Sequence, residues 1–193
     1  MMLYLLRHGQ VEERYQECYN GWLDVALSSE GQEEAKTLAR CLSHIQFDAV
    51  YCSDLFRCKR SIAYFDSEYV IYDINLREKH WGECEGLDYE TVCQKLRIKY
   101  VSFYQWIRDM GGESLEEFKA RITSVFFERI IPSGGEKVLV MTHAGVIRML
   151  LSIVTGESIE ACFNLAVPTA CYTIIEKKPV GWIVHKVGVQ YSV

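Results

Sequence analysis

Short runs of apolar residues recur along the chain, and longer stretches with helical spacing of apolar residues separate them. Each run is four to eight residues long, which favours a strand over a helix. The run at 137–142 is apolar almost throughout, as is typical of a central strand covered on both faces. The predicted strands are residues 2–6, 49–52, 69–72, 137–142, 169–176 and 182–187.

The segments between these strands show the signals of helices. Ser53-Asp54 can cap a helix that runs to about residue 65. Residues 146–154 are apolar almost all round, which predicts a buried helix that stops at Gly156. Because strands and helices alternate, we expect an α/β fold built on a mostly parallel sheet.

Residues 83–130 interrupt this alternation, because they look helical throughout and are rich in aromatic residues. Ser114 followed by Glu117 is a capping box, which predicts a helix that begins there. We interpret 83–130 as a helical cap inserted into a single domain that spans 1–193. Within it, 83–112 would lie over the carboxyl edge of the sheet.

Composition limits the class of protein and its partners. The chain has 193 residues, of which 49% are hydrophobic, enough for one domain with a full core. Its net charge of −5 argues against a nucleic-acid or membrane-surface binder, which would present a basic face. Its eight cysteines lack zinc-ligand spacing, so we expect free thiols and no metal site. Since no signal peptide or membrane span is recognisable, we expect a cytoplasmic protein.

Three predicted strands lead into polar segments of a matching kind. Since the carboxyl ends of parallel strands meet at one edge of a sheet, two histidines and two arginines should converge there. Arg57 falls in the first turn of a helix, where the dipole disfavours a cation unless an anion is bound. Ala144 begins another helix, whose free N–H groups could bind that anion. The segments are Arg7-His8-Gly9, Ser53-Asp54-Leu55-Phe56-Arg57 and Thr142-His143-Ala144-Gly145.

An acidic segment follows the third predicted strand. Residues 76–86 contain three carboxylates and two glycines. A carboxyl group beside a bound phosphate has its pKa raised by the like charge, which suits a general acid. For Glu83 and Glu85 the simpler interpretation is that they hold a turn together.

Together these segments resemble the histidine phosphatase superfamily, which includes the cofactor-dependent phosphoglycerate mutases. Leu6-Arg7-His8-Gly9 is similar to the family signature, and the likeness extends along nearly the whole chain. Residues 53–57, 76–86 and 142–148 are similar to the Ser-x-Leu-x-Arg, acid-bearing and second-histidine segments. The resemblance implies a three-layer, phosphoglycerate mutase-like α/β sandwich with a mostly parallel central sheet and a small helical cap.

The resemblance also implies a reaction without a metal or other cofactor. His8 would attack phosphorus and become a phosphohistidine. Arg7, Arg57 and His143 would hold the phosphoryl oxygens, where charge must be stabilised. Glu78 would protonate the leaving alkoxide and then activate water. The expected partner is a small-molecule phosphomonoester.

Two places depart from the family pattern. The usual Arg-Ala-x-x-Thr-Ala segment is here Arg57-Cys58-Lys59-Arg60-Ser61-Ile62, a conservative change on the inner side of a helix. The other departure bears on the site. Many members carry Asn six residues after the nucleophile, where this chain has Arg14. One phosphate or substrate contact is therefore in doubt, and Arg14 or Asn20 could replace it.

Finer likeness favours the α-ribazole phosphatase group. Residues 19–28 resemble its Tyr-x-Gly-x-x-Asp-Val-Pro-Leu-Ser segment, and residues 111–114 resemble its Gly-Gly-Glu-Ser. The implied substrate is α-ribazole 5′-phosphate or its cobalamin precursor form, used in assembly of the cobalamin nucleotide loop. Aromatic residues at 81–106 could stack on a benzimidazole, or could simply form the core of the cap.

Three other functions stay open at this point. A broad-specificity phosphatase and a phosphoglycerate mutase would use the same residues, although the chain is short for a mutase. A regulatory domain that binds phosphate without turnover is disfavoured, because His8, Glu78 and the other expected site residues are all present. The oligomeric state, including a homodimer, is also open.

Overall fold

One six-stranded sheet organises the molecule, whose computed structural model describes residues 1–191. The strands are β1 Met2–Arg7, β2 Ala49–Ser53, β3 Ile71–Asp73, β4 Lys137–Thr142, β5 Tyr172–Lys177 and β6 Trp182–Val189. The strand order is β3-β2-β4-β1-β5-β6, in which the first four strands are parallel, β5 is antiparallel to β1, and β6 is antiparallel to β5. This arrangement confirms the predicted fold class.

Two strands begin later than the sequence predicts. β3 begins at Ile71, where its pairing with β2 starts, rather than at Tyr69, whose side chain is 82% exposed. β5 begins at Tyr172, because Ala170 has a φ of +46°, a left-handed conformation that a strand cannot accommodate.

Helices cover both faces of the sheet, since alternate side chains of the central strands enter two separate cores. The helices are α1 Ser29–Leu42, α2 Phe56–Ile62, α3 Tyr89–Leu96, α4 Phe103–Met110, α5 Leu115–Ser124, α6 Ala144–Thr155 and α7 Ile159–Phe163. Leu3 and Leu5 pack with helices α5 and α6, whereas Tyr4 and Leu6 pack with α1 and α2. None of those within 1–191 is long and apolar enough to cross a membrane.

The helix signals are confirmed at two places and wrong at one. Ser114 and Glu117 form the capping box of α5, and Gly156 ends α6 in the left-handed conformation. Ser53-Asp54 does not cap α2, whose N-cap is Leu55 without a side-chain bond. The Ser53 hydroxyl and the Asp54 carboxylate instead bind residues from other parts of the chain.

The stretch 83–130 contains helices of two kinds. α3 and α4 pack around Trp81 and Trp106 in a small separate core. α5 and the π-helical turn Val125–Ile130 that follows it pack in the main core against the sheet. Only the first part of the stretch therefore lies outside the main layers.

Candidate active site

A cavity of about 420 Å³ lies at the carboxyl edge of the sheet. The register of the sheet brings the strand ends level, since Arg7 of β1 pairs with Thr142 of β4. Most of the predicted site residues line the cavity together with others from the adjoining loops. The lining is Arg7, His8, Gln10, Val11, Gln16, Cys18, Tyr19, Asn20, Gly21, Arg57, Glu78, Trp81, His143, Ala144, Gly145, Arg148, Phe163 and Thr169.

The ring of His8 is held in a single orientation. Its Nδ1 lies 2.8 Å from the carbonyl oxygen of Gly9, an acceptor, so Nδ1 carries the proton and Nε2 carries the lone pair. Burial lowers the pKa of His8 well below its ordinary value of 6.5, and the charges of Arg57 and Arg7 lower it further. The ring is therefore neutral at pH 7, as a nucleophile must be.

Two buried arginines flank His8. Arg7 donates from Nη1 to the carbonyl oxygen of Val167 at 2.6 Å, but its buried Nε has no partner within residues 1–191. Arg57 donates to the carbonyl oxygens of Gly21 and Leu23 at 2.7 and 2.9 Å. Among the described residues neither guanidinium forms an ion pair with a carboxylate. Their charge is therefore available to an anion in the cavity.

His143 lies edge-on to His8, with 5.1 Å between the ring centroids. Its Nε2 is 2.9 Å from the hydroxyl oxygen of Ser53 and 3.4 Å from Sγ of Cys58. Burial lowers the pKa of His143 well below 6.5, and the charge of Arg57 adds to the effect. Ser53 thus orients a site histidine, which explains why it does not cap the helix that follows.

Glu78 brings a carboxylate to the same cavity. Its Oε1 accepts a hydrogen bond from its neighbour Lys79 N, and its Oε2 accepts one from Gly145 N in the first turn of α6, both at 2.9 Å. The helix N-terminus therefore holds this carboxylate. Glu85 performs the expected turn-holding role, because its Oε1 accepts from the backbone N–H groups of Trp22 and Trp81.

The structure distinguishes Asn20 from Arg14, the two residues that could replace the asparagine contact of many family members. Asn20 lines the cavity, where its Nδ2 donates to Tyr15 O at 2.7 Å and its buried Oδ1 has no partner in the described part of the chain. Arg14 does not reach the cavity. It lies in the helical turn Glu13–Tyr15 with a side chain 73% exposed, stacked on the ring of Tyr15 and near Glu12. We therefore assign Arg14 no substrate contact.

Comparison with known proteins agrees with this geometry. The profile of the histidine phosphatase superfamily (branch 1) matches residues 3–190. The chain belongs to the histidine phosphatase superfamily. It is 30% identical to a 2,3-bisphosphoglycerate-dependent phosphoglycerate mutase of Methylocella silvestris over 165 residues, which is 79% of this chain and 80% of that protein.

Solved structures extend the likeness over the whole fold. YhfR of Bacillus stearothermophilus superposes with a TM-score of 0.87 at 25% identity, covering 99% of this chain and 98% of its own. An Escherichia coli protein assigned as an α-ribazole-5′-P phosphatase superposes with a TM-score of 0.85 at 25% identity, covering 98% and 99% of the two chains. The proteins similar to this chain therefore differ in the reaction named for them, which is that of a mutase for one and of a phosphatase for another.

Arg148 also lines the cavity, although the sequence did not lead us to expect it there. Arg148 donates from Nε and Nη2 to the carbonyl oxygen of Leu165, and burial lowers its pKa. Its position four residues after Ala144, on the same helix face, was the signal that could have identified it. The described residues contain no cluster of three His, Cys, Asp or Glu side chains able to hold a metal ion.

Proposed function

We propose that this histidine phosphatase hydrolyses phosphomonoesters through a phosphohistidine on His8. The observation that best supports the proposal is the state of the His8 ring, neutral with Nδ1 committed to Gly9 O and Nε2 free to attack. The pKa of an imidazole in water would leave part of it protonated near pH 6.5, whereas this ring is unprotonated before substrate arrives.

The surrounding charges fit a phosphoryl group. Arg7, Arg57 and His143 flank His8 around one cavity, and the N–H at Arg7 Nε, which has no acceptor among the described residues, can donate to a bound anion. Phosphoryl transfer depends on such donors, since negative charge must be stabilised on the oxygens of the transferring group. The two arginines balance the charge of a phosphomonoester dianion.

The reaction then proceeds in two displacements. The lone pair of His8 Nε2 forms a bond to phosphorus while the ester P–O bond breaks, and Glu78 gives its proton to the leaving oxygen. Glu78, now ionised, takes a proton from water as the water oxygen attacks phosphorus. The P–N bond breaks, its electrons return to His8, and inorganic phosphate leaves.

For the substrate we favour α-ribazole 5′-phosphate. Tyr19, Trp81 and Phe163 line the cavity, so a planar ring on the leaving group would meet aromatic surface. Trp81 also belongs to the core of the cap, in which Trp106 and Phe103 lie without lining the cavity. The likeness of residues 19–28 and 111–114 to the α-ribazole phosphatases supports the same choice, as does the name assigned to the Escherichia coli protein.

A substrate panel tests the proposal. Purified protein is given α-ribazole 5′-phosphate, p-nitrophenyl phosphate, or 3-phosphoglycerate with 2,3-bisphosphoglycerate, and both phosphate release and 2-phosphoglycerate formation are measured. We expect kcat/KM for α-ribazole 5′-phosphate to exceed the others by about a hundredfold. A His8→Ala variant that is folded by circular dichroism should lose all turnover.

Each other outcome selects a different function. Efficient 2-phosphoglycerate formation would identify a mutase, the activity named for the Methylocella silvestris relative. Equal turnover of many esters would identify a broad-specificity phosphatase. Absence of turnover on the whole panel would identify a phosphate-binding regulatory domain, and full activity of His8→Ala would refute the phosphohistidine.

A further inference from the structure

We propose that Arg121 and Glu113 form a positioning pair that sets the catalytic carboxylate of Glu78, an inference that rests on the proposed role of Glu78. Neither residue lines the cavity. Both residues contact the backbone of the segment Arg77–His80 from outside the cavity. This segment forms no helix or strand that would fix its position. The position of the Glu78 backbone must therefore come from tertiary contacts.

Arg121 supplies several of these contacts, beside the indole N–H of Trp22, which donates to the carbonyl oxygen of Glu78 at 2.8 Å. The Nη1 of Arg121 donates to the carbonyl oxygens of Asn75 and Arg77, both at 2.8 Å, and its Nη2 donates to the carbonyl oxygen of Glu78 at 3.1 Å. Its Nε and Nη2 also donate to the two carboxylate oxygens of Glu113 at 2.7 Å each. A guanidinium has five N–H donors, so every one is used.

Glu113 closes the connection from the other side. Its Oε2 accepts from His80 N at 3.3 Å, and its own N–H donates to His80 O at 2.9 Å. Its carboxylate and the Arg121 guanidinium are each only 12% exposed, so the pair is shielded from solvent. Glu113 therefore ties the loop before α5 directly to His80 and, through Arg121, to Glu78.

The bonds that Arg121 and Glu113 make to this segment determine whether the Glu78 side chain can make its own bonds. The carboxylate reaches Gly145 N only while the backbone at Glu78 keeps its present place. Reacting groups displaced by about 1 Å can lose a hundredfold in rate. A replacement that keeps the charge of Arg121 but cannot make the same five bonds should therefore disturb proton transfer more than binding.

The test compares Arg121→Lys with Arg129→Lys. Arg129 follows in the π-helical turn and binds the Asp73 carboxylate at 2.9 Å, without touching the Glu78 segment. We expect Arg121→Lys to lower kcat for an alkyl phosphate such as glycerol 1-phosphate at least about tenfold, with KM changed less than about threefold. The initial burst of p-nitrophenol from p-nitrophenyl phosphate, whose leaving group needs no proton, should stay near wild type. Arg129→Lys should change neither readout.

A double-variant cycle separates positioning from a merely structural role. If Arg121 acts through Glu78, Arg121→Lys should have no further effect on alkyl phosphate turnover in a Glu78→Gln background. An equal loss in both backgrounds, or equal slowing of the burst and of alkyl phosphate turnover, would overturn the inference. Thermal denaturation of each variant shows whether any such loss comes from unfolding.

The same data distinguish failure of the proposed acid role of Glu78 from failure of the positioning role of Arg121. If Glu78→Gln slows good and poor leaving groups alike, the acid role of Glu78 fails and this inference fails with it. If Glu78→Gln is selective for poor leaving groups but Arg121→Lys is not, only the positioning role is overturned.

Discussion

Replacing Gly145 by alanine should slow the turnover of alkyl phosphates while leaving the fold intact. Gly145 is the second residue of α6, and its N–H holds Glu78 Oε2 at 2.9 Å. A Cβ at this position would overlap Glu78 Oε1, and the three nearest atoms all belong to the Glu78 carboxylate. The helix itself accepts alanine, so the carboxylate is the group that must move.

The structure sets the size of the loss in rate and of the change in the free energy of unfolding. The oxygen would have to shift by about 1 Å, a displacement that can cost a hundredfold in rate. A hundredfold loss corresponds to about 2.7 kcal/mol of transition-state stabilisation. Alanine is favoured over glycine by up to about 1 kcal/mol in a helix interior, so the free energy of unfolding should stay within that range of wild type.

The assay measures kcat on glycerol 1-phosphate, the p-nitrophenol burst, and urea unfolding. Gly145→Ala should lower kcat, keep the burst, and unfold near the wild-type midpoint. Gly31→Ala is a matched contrast in the first turn of α1, where the new Cβ would overlap the backbone of Gln10 and should cost about 1–3 kcal/mol of stability. Wild-type turnover of glycerol 1-phosphate by Gly145→Ala would refute the reasoning.

Three further predictions follow from burial and unpaired groups. Because the pKa of His8 lies below 6.5, kcat/KM should fall on the acid side only below pH 6.5, and a limb at or above that value would contradict a neutral nucleophile. Burial lowers the pKa of Lys79 to about 8 from 10.5, so the unfolded state binds more protons between these values. The free energy of unfolding of wild type should therefore rise relative to that of Lys79→Met as the pH rises from 8 to 10.5, by at most about 3 kcal/mol measured by urea unfolding. If the difference in unfolding free energy between the two proteins does not change with pH, the lysine is not desolvated. Asn20→Ala should raise KM for a substrate that offers a hydroxyl to Oδ1 but not for p-nitrophenyl phosphate, and equal changes in both would argue against that contact.

Much of the site could be predicted from the sequence because its residues follow directly from strand ends. His8 and His143 come immediately after β1 and β4, and Arg57 lies in the first turn after β2. Parallel strands whose carboxyl ends are in register bring such residues together regardless of the conformations of the loops. The fold class was predictable for the same reason, since period and alternation are local properties of the chain.

Residues on irregular segments were predicted less well. Arg14 matched the family position by count, but the turn at Glu13–Tyr15 directs its side chain to solvent. Ser53 had the residue type and place of a helix cap, yet its hydroxyl binds His143, which follows another strand. Local sequence cannot rank a local bond against a partner ninety residues away.

The sequence by itself thus determined the sheet, the face of the sheet on which each strand residue lies, and the reactive groups at its carboxyl edge. Only the tertiary structure decided which atom of each group has no hydrogen-bond partner among residues 1–191: Nε2 of His8, Nε of Arg7 and Oδ1 of Asn20. It also decided that Arg121 and Glu113 support the segment that holds Glu78. The physical reason is that hydrogen-bond partners of buried polar groups are supplied by segments distant in the chain, and periodicity records only which face a residue occupies.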